Sequence, residues 1–209
     1  MSLADGAFGD LGDPDARALW LSDLLGATAV EAAPLLLGCV LWVRGVGVRL
    51  TEVEAYEGAD DPASHAWRGQ TARNAVMFGP AGHLYVYRIH GHHCVNVVCG
   101  PQGHAAAVLL RAGEIVEGLD AACSRRPGVR EAWLARGPGN LAKALGLTVA
   151  DQGAWLGGPD VALRPGGFVC AFVAGPRVNV ARAHDRPWRF LVQSPSVSAF
   201  RPHPAARRG

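Results

Sequence analysis

The sequence predicts a single α+β domain, a curved and mainly antiparallel sheet with flanking helices. Three observations carry this prediction. The chain has 209 residues, the length of one domain, and 49% of them are hydrophobic, enough for a sizeable core. Short runs rich in β-branched and aromatic residues recur along it, bounded by Gly and Pro turns. The helical stretches fall between these runs without regular β-α-β alternation, which argues for an antiparallel arrangement. No internal repeat and no long low-complexity segment interrupts the order, so one domain over 1–209 is expected, with flexible ends at 1–12 and 202–209.

Each element has its own signal. Asp13-Pro14 reads as an N-cap followed by proline at the first helical position, with a helix to about Leu25 and Gly26 as its stop. Leu19, Trp20 and Leu24 are expected to face the core. Thr28 caps a second short helix, disturbed at Pro34. Residues 39–44 and 48–56 read as strands joined by a turn at 45–47. Strict alternation would then put Val48, Leu50, Glu52, Glu54 and Tyr56 on one face of the second strand. Asp60-Asp61-Pro62 is a loop. Residues 84–89 and 93–99 form a hairpin with Gly91 at a tight tip. Residues 106–111 read as a buried strand, 114–124 as a helix, and 138–145 as a helix stopped by Gly146. Short strands are expected at 168–173, 177–180 and 189–192.

The net charge of +2 conceals an uneven distribution. Residues 1–61 sum to −8 and residues 161–209 to +7. Residues 62–113 contain no Asp or Glu, four Arg and six of the eight His. Two stretches poor in carboxylates favour a polyanion partner, although an Arg-rich, Lys-poor composition can arise without one. No apolar run approaches the roughly 20 residues of a membrane span, so no membrane partner is expected. Residues 1–16 are acidic and Gly-rich, unlike a signal peptide. The five cysteines (Cys39, Cys94, Cys99, Cys123, Cys170) are odd in number and lack CxxC pairing, which reads as reduced thiols of an intracellular protein.

Four features bear on chemistry. In 51–56, TEVEAY, two carboxylates and a tyrosine repeat at period two in an apolar strand. If that face lines a cleft, Glu54 is a candidate general base; the plainer reading is a solvated face with exposed Glu. In 84–91, LYVYRIHG, Tyr85 and Tyr87 share one side and Arg88 and His90 the other. Aromatic faces can stack a base, and they can equally form a sheet core. The cluster His90, His92, His93, Cys94, Cys99, His104 could suggest a metal, but its spacing matches no common zinc pattern. Finally, Lys143 is the only lysine. Attack on a sugar through a Schiff base needs an amine, so a water nucleophile is the better reading.

Taken together, the blocks at 51–56 (TEVEAY), 61–69 (DPASHAWRG), 71–78 (TARNAVMF), 82–87 (GHLYVY), 95–97 (VNV), 108–112 (VLLRA) and 137–147 (GPGNLAKALGL), with 177–180 and 187–192, closely resemble the alkyladenine (3-methyladenine) DNA glycosylase family. The resemblance covers about 150 residues. It implies a mixed α/β domain with a protruding β-hairpin for the DNA minor groove. It also implies a monofunctional DNA glycosylase of base excision repair, acting on alkylated or deaminated purines in double-stranded DNA after base flipping.

Position by position, the resemblance makes Glu54 the general base. Arg111 and the backbone carbonyl of Val178 hold the nucleophilic water. Tyr56, His65 and Tyr87 wall the pocket, and Asn96 screens against guanine's exocyclic amine. His90 takes the place of the wedge at the hairpin tip, where relatives carry tyrosine in a YVYxIYG context, and the following segment is one residue shorter. Arg88 and Arg73 are assigned to the DNA backbone. No metal or nucleotide cofactor is called for, a monomer is expected, and the cytoplasm or nucleoid of a bacterium is the expected location. The alternatives are a non-catalytic lesion-binding protein of the same fold, a metal-dependent hydrolase using the His90–His104 cluster, and a binding module for RNA or single strands.

Overall fold

A computed structural model describes residues 13–167, 169 and 171–207. Its centre is one long strand, β2 (Val46–Glu57), which follows β1 (Val40–Val43) through a two-residue turn. That turn is Arg44-Gly45, with φ of 44° and 90°, the left-handed pair that a tight hairpin of this hand requires. β2 pairs along most of its length with β5 (Ala106–Glu117). On its other edge it pairs first with β1 and then, at Glu52–Glu54, with β9 (Arg189–Leu191). The hairpin β3 (Leu84–Ile89) and β4 (His92–Cys99) extends the sheet beyond β5. β7 (Val161–Arg164) closes the opposite edge against β1. Short strands β6 (Ala135–Arg136) and β8 (Val173–Gly175) pair with β5 and β9. Every registered pairing is antiparallel, as expected for an α+β domain.

Helices cover one face of this sheet. α1 (Pro14–Leu25) starts at Asp13, whose carboxylate accepts from Asp15 N–H, and ends at Gly26 as predicted. Its buried positions are Leu21 and Leu25, one turn apart, with Trp20 and Leu24 half-buried beside them. Leu19 was expected in the core but is 68% exposed, because the phase set at Asp13 turns it to solvent. α2 (Ala29–Leu36) opens on a reciprocal Thr28–Glu31 capping box and continues past Pro34 to Leu36. α3 (Leu119–Arg125) and α4 (Pro138–Leu145) complete the layer. Their apolar faces meet Val48, Leu50, Val53, Ala55, Val108 and Leu110 in the main core.

Three local expectations are corrected. The helix predicted at 114–124 starts too early: residues 114–117 are strand, since β5 continues to pair with β2 through Ile115↔Val48 and Glu117↔Gly47, and 119–124 is helical as expected. The helix begins only after Gly118, whose φ of 68° makes the turn. The stretch 177–180 is a turn and not a strand, with Asn179 at φ 57° and its N–H bonded to Arg201 O at 2.9 Å. The third correction is the face assignment in β2. A bulge shifts the register between Leu50 and Val53. Val48 and Leu50 therefore share the core with Val53 and Ala55, while Glu52, Glu54 and Tyr56 turn to the opposite face.

Of the strand predicted at 168–173, Phe168 and Cys170 lie outside the described residues, as do residues 1–12 of the predicted flexible ends. At the other end, a 3-10 turn spans Pro204–Arg207. Among the described residues no helix is long and apolar enough to cross a membrane.

Candidate active site

The sheet face away from the helices bears a second, smaller apolar cluster of Ala66, Met77, Tyr85, Val98, Ala105 and Ala107. Beside it opens a cleft of about 530 Å³. Four strands supply its floor and walls: Glu54 and Tyr56 from β2, Tyr85 and Tyr87 from β3, Cys94 and Asn96 from β4, Leu109 and Arg111 from β5. The segment 62–65 and the turn at 178–182 form its rim.

Glu54 is wholly buried, and a carboxylate there is tolerable only if it is paired. Val178 N–H donates to Oε1 at 2.7 Å, while the Tyr56 hydroxyl and Arg111 Nη1 donate to Oε2 at 2.9 and 3.3 Å. The bulge in β2 makes this possible, because it brings Glu52 and Glu54 to the same side as Arg111. Glu52 is the fully saturated partner. It accepts from Arg111 Nε at 2.8 Å, Arg189 Nε at 2.7 Å, and the Ser198 N–H and hydroxyl at 2.7 and 2.9 Å. Burial opposes its charge, yet Arg111 and Arg189 hold the Glu52 carboxyl below its ordinary value. Arg111 thus bridges two carboxylates; burial works against its charge, but Glu54 and Glu52 push its pKa up. Glu52 braces the arginine from below, and Glu54 is the carboxylate that reaches the cleft.

The walls are aromatic. His65 and Tyr87 meet edge-on at 4.5 Å between ring centroids, and Tyr85 lies 5.5 Å from Tyr87. His65 Nδ1 shares a hydrogen bond with the Tyr85 hydroxyl at 2.9 Å. Burial first, and the Glu54 charge second, push the Tyr56 phenol well above its ordinary pKa, so it remains a donor to Glu54. Asn96 Nδ2 donates to Tyr85 O at 3.0 Å across the β3–β4 pair, which fixes the amide plane.

Beneath the floor, Arg177 forms a bidentate ion pair with Asp61 at 2.5 and 2.9 Å and donates to Ala55 O at 3.0 Å. Its guanidinium stacks 4.6 Å from the Tyr56 ring and 5.1 Å from Trp188. The segment carrying His65 is tied down at both ends: Asp61 holds Ala63 N–H, and Asn74 Nδ2 donates to His65 O.

Burial, and secondarily Arg73, lower the His65 pKa from its ordinary 6.5. A depressed imidazole pKa means that the unfolded chain binds the proton more readily, so this contribution to stability is present above pH 6.5 and is lost as pH falls through the folded value. An NMR titration of the His65 ring should show a midpoint below 6.5; a midpoint at or above 6.5 would contradict this packing.

Of the residues singled out by sequence, Glu54, Tyr56, His65, Tyr87, His90, Asn96, Arg111 and Val178 all line this cleft. Val178 faces Glu54 through its N–H. Arg73 and Arg88 do not line it; the Arg73 guanidinium lies 5.6 Å from the Tyr87 ring and donates to Arg88 O at 3.4 Å. His90 sits at the hairpin tip with φ 47°, and Arg88, Ile89 and His90 are exposed there.

The histidine–cysteine cluster disperses. His104 lies 3.5 Å from Glu57, His92 and His93 face another cleft, and Cys94 and Cys99 are buried. Among the described residues no three His, Cys, Asp or Glu side chains converge, and Cys39, Cys94, Cys99 and Cys123 are free thiols. Sequence reasoning gave no role to Glu52, Asp61, Arg177, Arg189 or Ser198. For the four charged residues the only signal was charge inside apolar or turn-rich stretches, and Ser198 gave none; neither discloses partners 59 to 146 residues away.

Comparison with known proteins gives a consistent set. Residues 23–196 match the family model described as methylpurine-DNA glycosylase. The chain is 50% identical over 187 residues to a protein of Cutibacterium acnes, covering 85% of this chain and 98% of that one. It is 51% identical over 199 residues to one of Rhodococcus jostii, covering 91% and 89%. With one of Nocardia farcinica it shares 54% over 187 residues, covering 84% and 88%. Each of the three carries the name "Putative 3-methyladenine DNA glycosylase".

Proposed function

The chain belongs to the methylpurine-DNA glycosylase family, DNA glycosylases of base excision repair that hydrolyse N-glycosyl bonds, and we propose that its substrates are alkylated and deaminated purines of the 3-methyladenine, 7-methylguanine and hypoxanthine class in duplex DNA. The observation that carries this reading is Glu54: a buried carboxylate held by three donors at the base of a cleft walled by His65, Tyr56 and Tyr87. Such a site suits a flat, electron-poor ring above a group that handles a water molecule.

The exposed hairpin tip at His90 enters the minor groove and opens a base step, at a cost of a few kcal/mol. A damaged pair opens more readily, which supplies the first selection. The everted purine stacks on Tyr87, Tyr56 and His65. A cationic alkylpurine gains about 0.5–2 kcal/mol from aromatic faces. Because Asn96 is anchored on Tyr85 O, it presents a fixed amide edge that discriminates against guanine's exocyclic amine.

Glu54 accepts a proton from water as the water oxygen bonds to the anomeric carbon. The glycosidic electron pair leaves with the base, which departs neutral if it was alkylated and cationic, whereas hypoxanthine departs as its nitrogen anion and takes up a proton from solvent. Arg111 and the Val178 backbone hold Glu54 and its water, and the carboxylate also stabilises the oxocarbenium-like charge. The product is an abasic site on an intact strand. With Lys143 the only lysine and outside this cleft, water and not an amine is the nucleophile. Nor does the reading call for a metal ion or nucleotide cofactor. Arg73 and Arg88, near the hairpin, face the backbone phosphates, and the enzyme works as a monomer inside a bacterial cell.

The direct test is single-turnover incubation with duplexes carrying hypoxanthine or 7-methylguanine. Free base and an alkali-labile abasic site are expected. Lesion binding without base release would favour a non-catalytic lesion-binding protein. Tyr87→Ala removes one stacking wall, so affinity for a lesion duplex should fall by roughly 5- to 150-fold, the equivalent of about 1–3 kcal/mol per stacked base. Unchanged lesion affinity, measured by fluorescence anisotropy, would assign Tyr87 to the sheet core instead.

A further inference from the structure

Behind the hairpin lies a second cleft, of about 360 Å³. Its charged or protonatable side chains are His92, His93, Arg125 and Lys143, and no carboxylate lines it. Lys143, the chain's only lysine, is exposed and forms no ion pair among the described residues. Arg125 is fixed in place, because its Nη1 donates to Ala144 O at 2.7 Å.

Gly139 lets the outgoing hairpin strand lie against the first turn of α4; a Cβ there would come within 2.9 Å of the His92 Cβ. Both elements also reach the first cleft, the strand through Cys94 and Asn96 and α4 through Pro138, with His90 at the hairpin tip beside them. One ridge, the hairpin tip with the start of α4, therefore separates a cleft containing a carboxylate from a cleft whose ionisable side chains are all basic.

We infer that the second cleft is an anion site that grips one backbone phosphate of the duplex, through Lys143 and His92, while the everted base occupies the first. This rests on the DNA glycosylase reading. A strand whose nucleotide turns into the first cleft must pass over the ridge, and its neighbouring phosphates then meet the basic side. A concavity lined by one sign of charge focuses that attraction. The contact orients the duplex without reading its sequence. It also supplies hold that the His90 tip cannot, since an imidazole inserts less apolar surface than a larger ring.

The test uses the full chain, lesion and undamaged duplexes, and a salt series, with Lys143→Gln, His92→Gln and their double variant. Both positions are exposed, so thermal unfolding should match wild type. For Lys143→Gln the slope of log affinity against log salt should become shallower by about 0.9, the value for one phosphate contact. Affinity should fall by roughly tenfold on both duplexes alike. Neutralising single phosphates as methylphosphonates should identify one position that weakens wild type and adds nothing to Lys143→Gln.

Unchanged slopes in all three variants, or methylphosphonate losses that add to Lys143→Gln at every position, would overturn the phosphate site. If wild type still releases damaged bases in that case, only this inference fails. A wild-type chain that neither binds duplex nor releases base would sink the glycosylase reading together with it.

Discussion

Glu54→Gln is expected to lower single-turnover excision by at least about a thousandfold, while the affinity for a lesion duplex stays within a few-fold of wild type. General base catalysis alone contributes roughly 10²–10⁴. The same substitution also removes the negative charge that faces the developing oxocarbenium ion. The two effects act on one transition state, so the loss lies in the chemical rate and not in binding. The amide keeps the shape of the carboxylate but not its acceptor capacity. Val178 N–H donates to one oxygen, and the Tyr56 hydroxyl and Arg111 Nη1 to the other, so one amide rotamer or the other sets an NH₂ against a donor.

That clash should cost about 1–3 kcal/mol of stability, visible as a lower unfolding temperature. The signature is thus specific: a folded, somewhat less stable protein that binds lesions and does not process them. Excision within tenfold of wild type would remove Glu54 from the role of base.

How much of this was legible in the sequence follows from which interactions are local. The caps of α1 and α2 and the two tight hairpins are specified by residues within four positions of each other, and the sequence predicts them. The β2 bulge is not. Alternation places Leu50 and Glu54 on one face, and only the pairing with β5, some 60 residues away, shows that they point oppositely. The same distance explains the early start of the helix predicted at 114–124: residues 114–117 are held as strand by β2 and not by their own propensity, and only from Leu119 is the stretch helical.

At the site, types and spacing draw attention to the paired glutamates of β2 and to Tyr87, while Arg111 is named only through the family resemblance. The groups behind them do not announce themselves. Arg189 and Ser198 saturate Glu52 from β9 and from beyond it, and nothing in TEVEAY distinguishes the saturated glutamate from the one that reaches the cleft.

The second large effect is expected at Asp61. Its carboxylate and the Arg177 guanidinium are both fully buried, in bidentate geometry. A buried pair of this kind adds little over an apolar filling, but removing one member leaves an uncompensated charge at a cost of about 3–5 kcal/mol. Asp61→Ala leaves Arg177 with backbone acceptors at Ala55 and Ala183 and with the faces of Tyr56 and Trp188, none of which carries a compensating charge. In a domain of this size 1 kcal/mol corresponds to roughly 2–4 °C, so the unfolding temperature should drop by about 6–20 °C.

The consequence extends to function because of what the pair joins. Arg177 immediately precedes Val178, whose N–H holds Glu54, and it lies under the Tyr56 ring. Asp61 anchors the start of the segment that carries His65. Loosening the pair should release one aromatic wall and one Glu54 donor together, so lesion affinity and excision rate fall in parallel, unlike the separation expected for Glu54→Gln. Asp61→Asn, which keeps the shape and loses the charge, should lie between wild type and Asp61→Ala in unfolding temperature. A loss below about 1 kcal/mol in Asp61→Ala, by denaturant titration, would show that the Arg177 charge is accommodated without Asp61, and that the cleft's architecture rests on its strands alone.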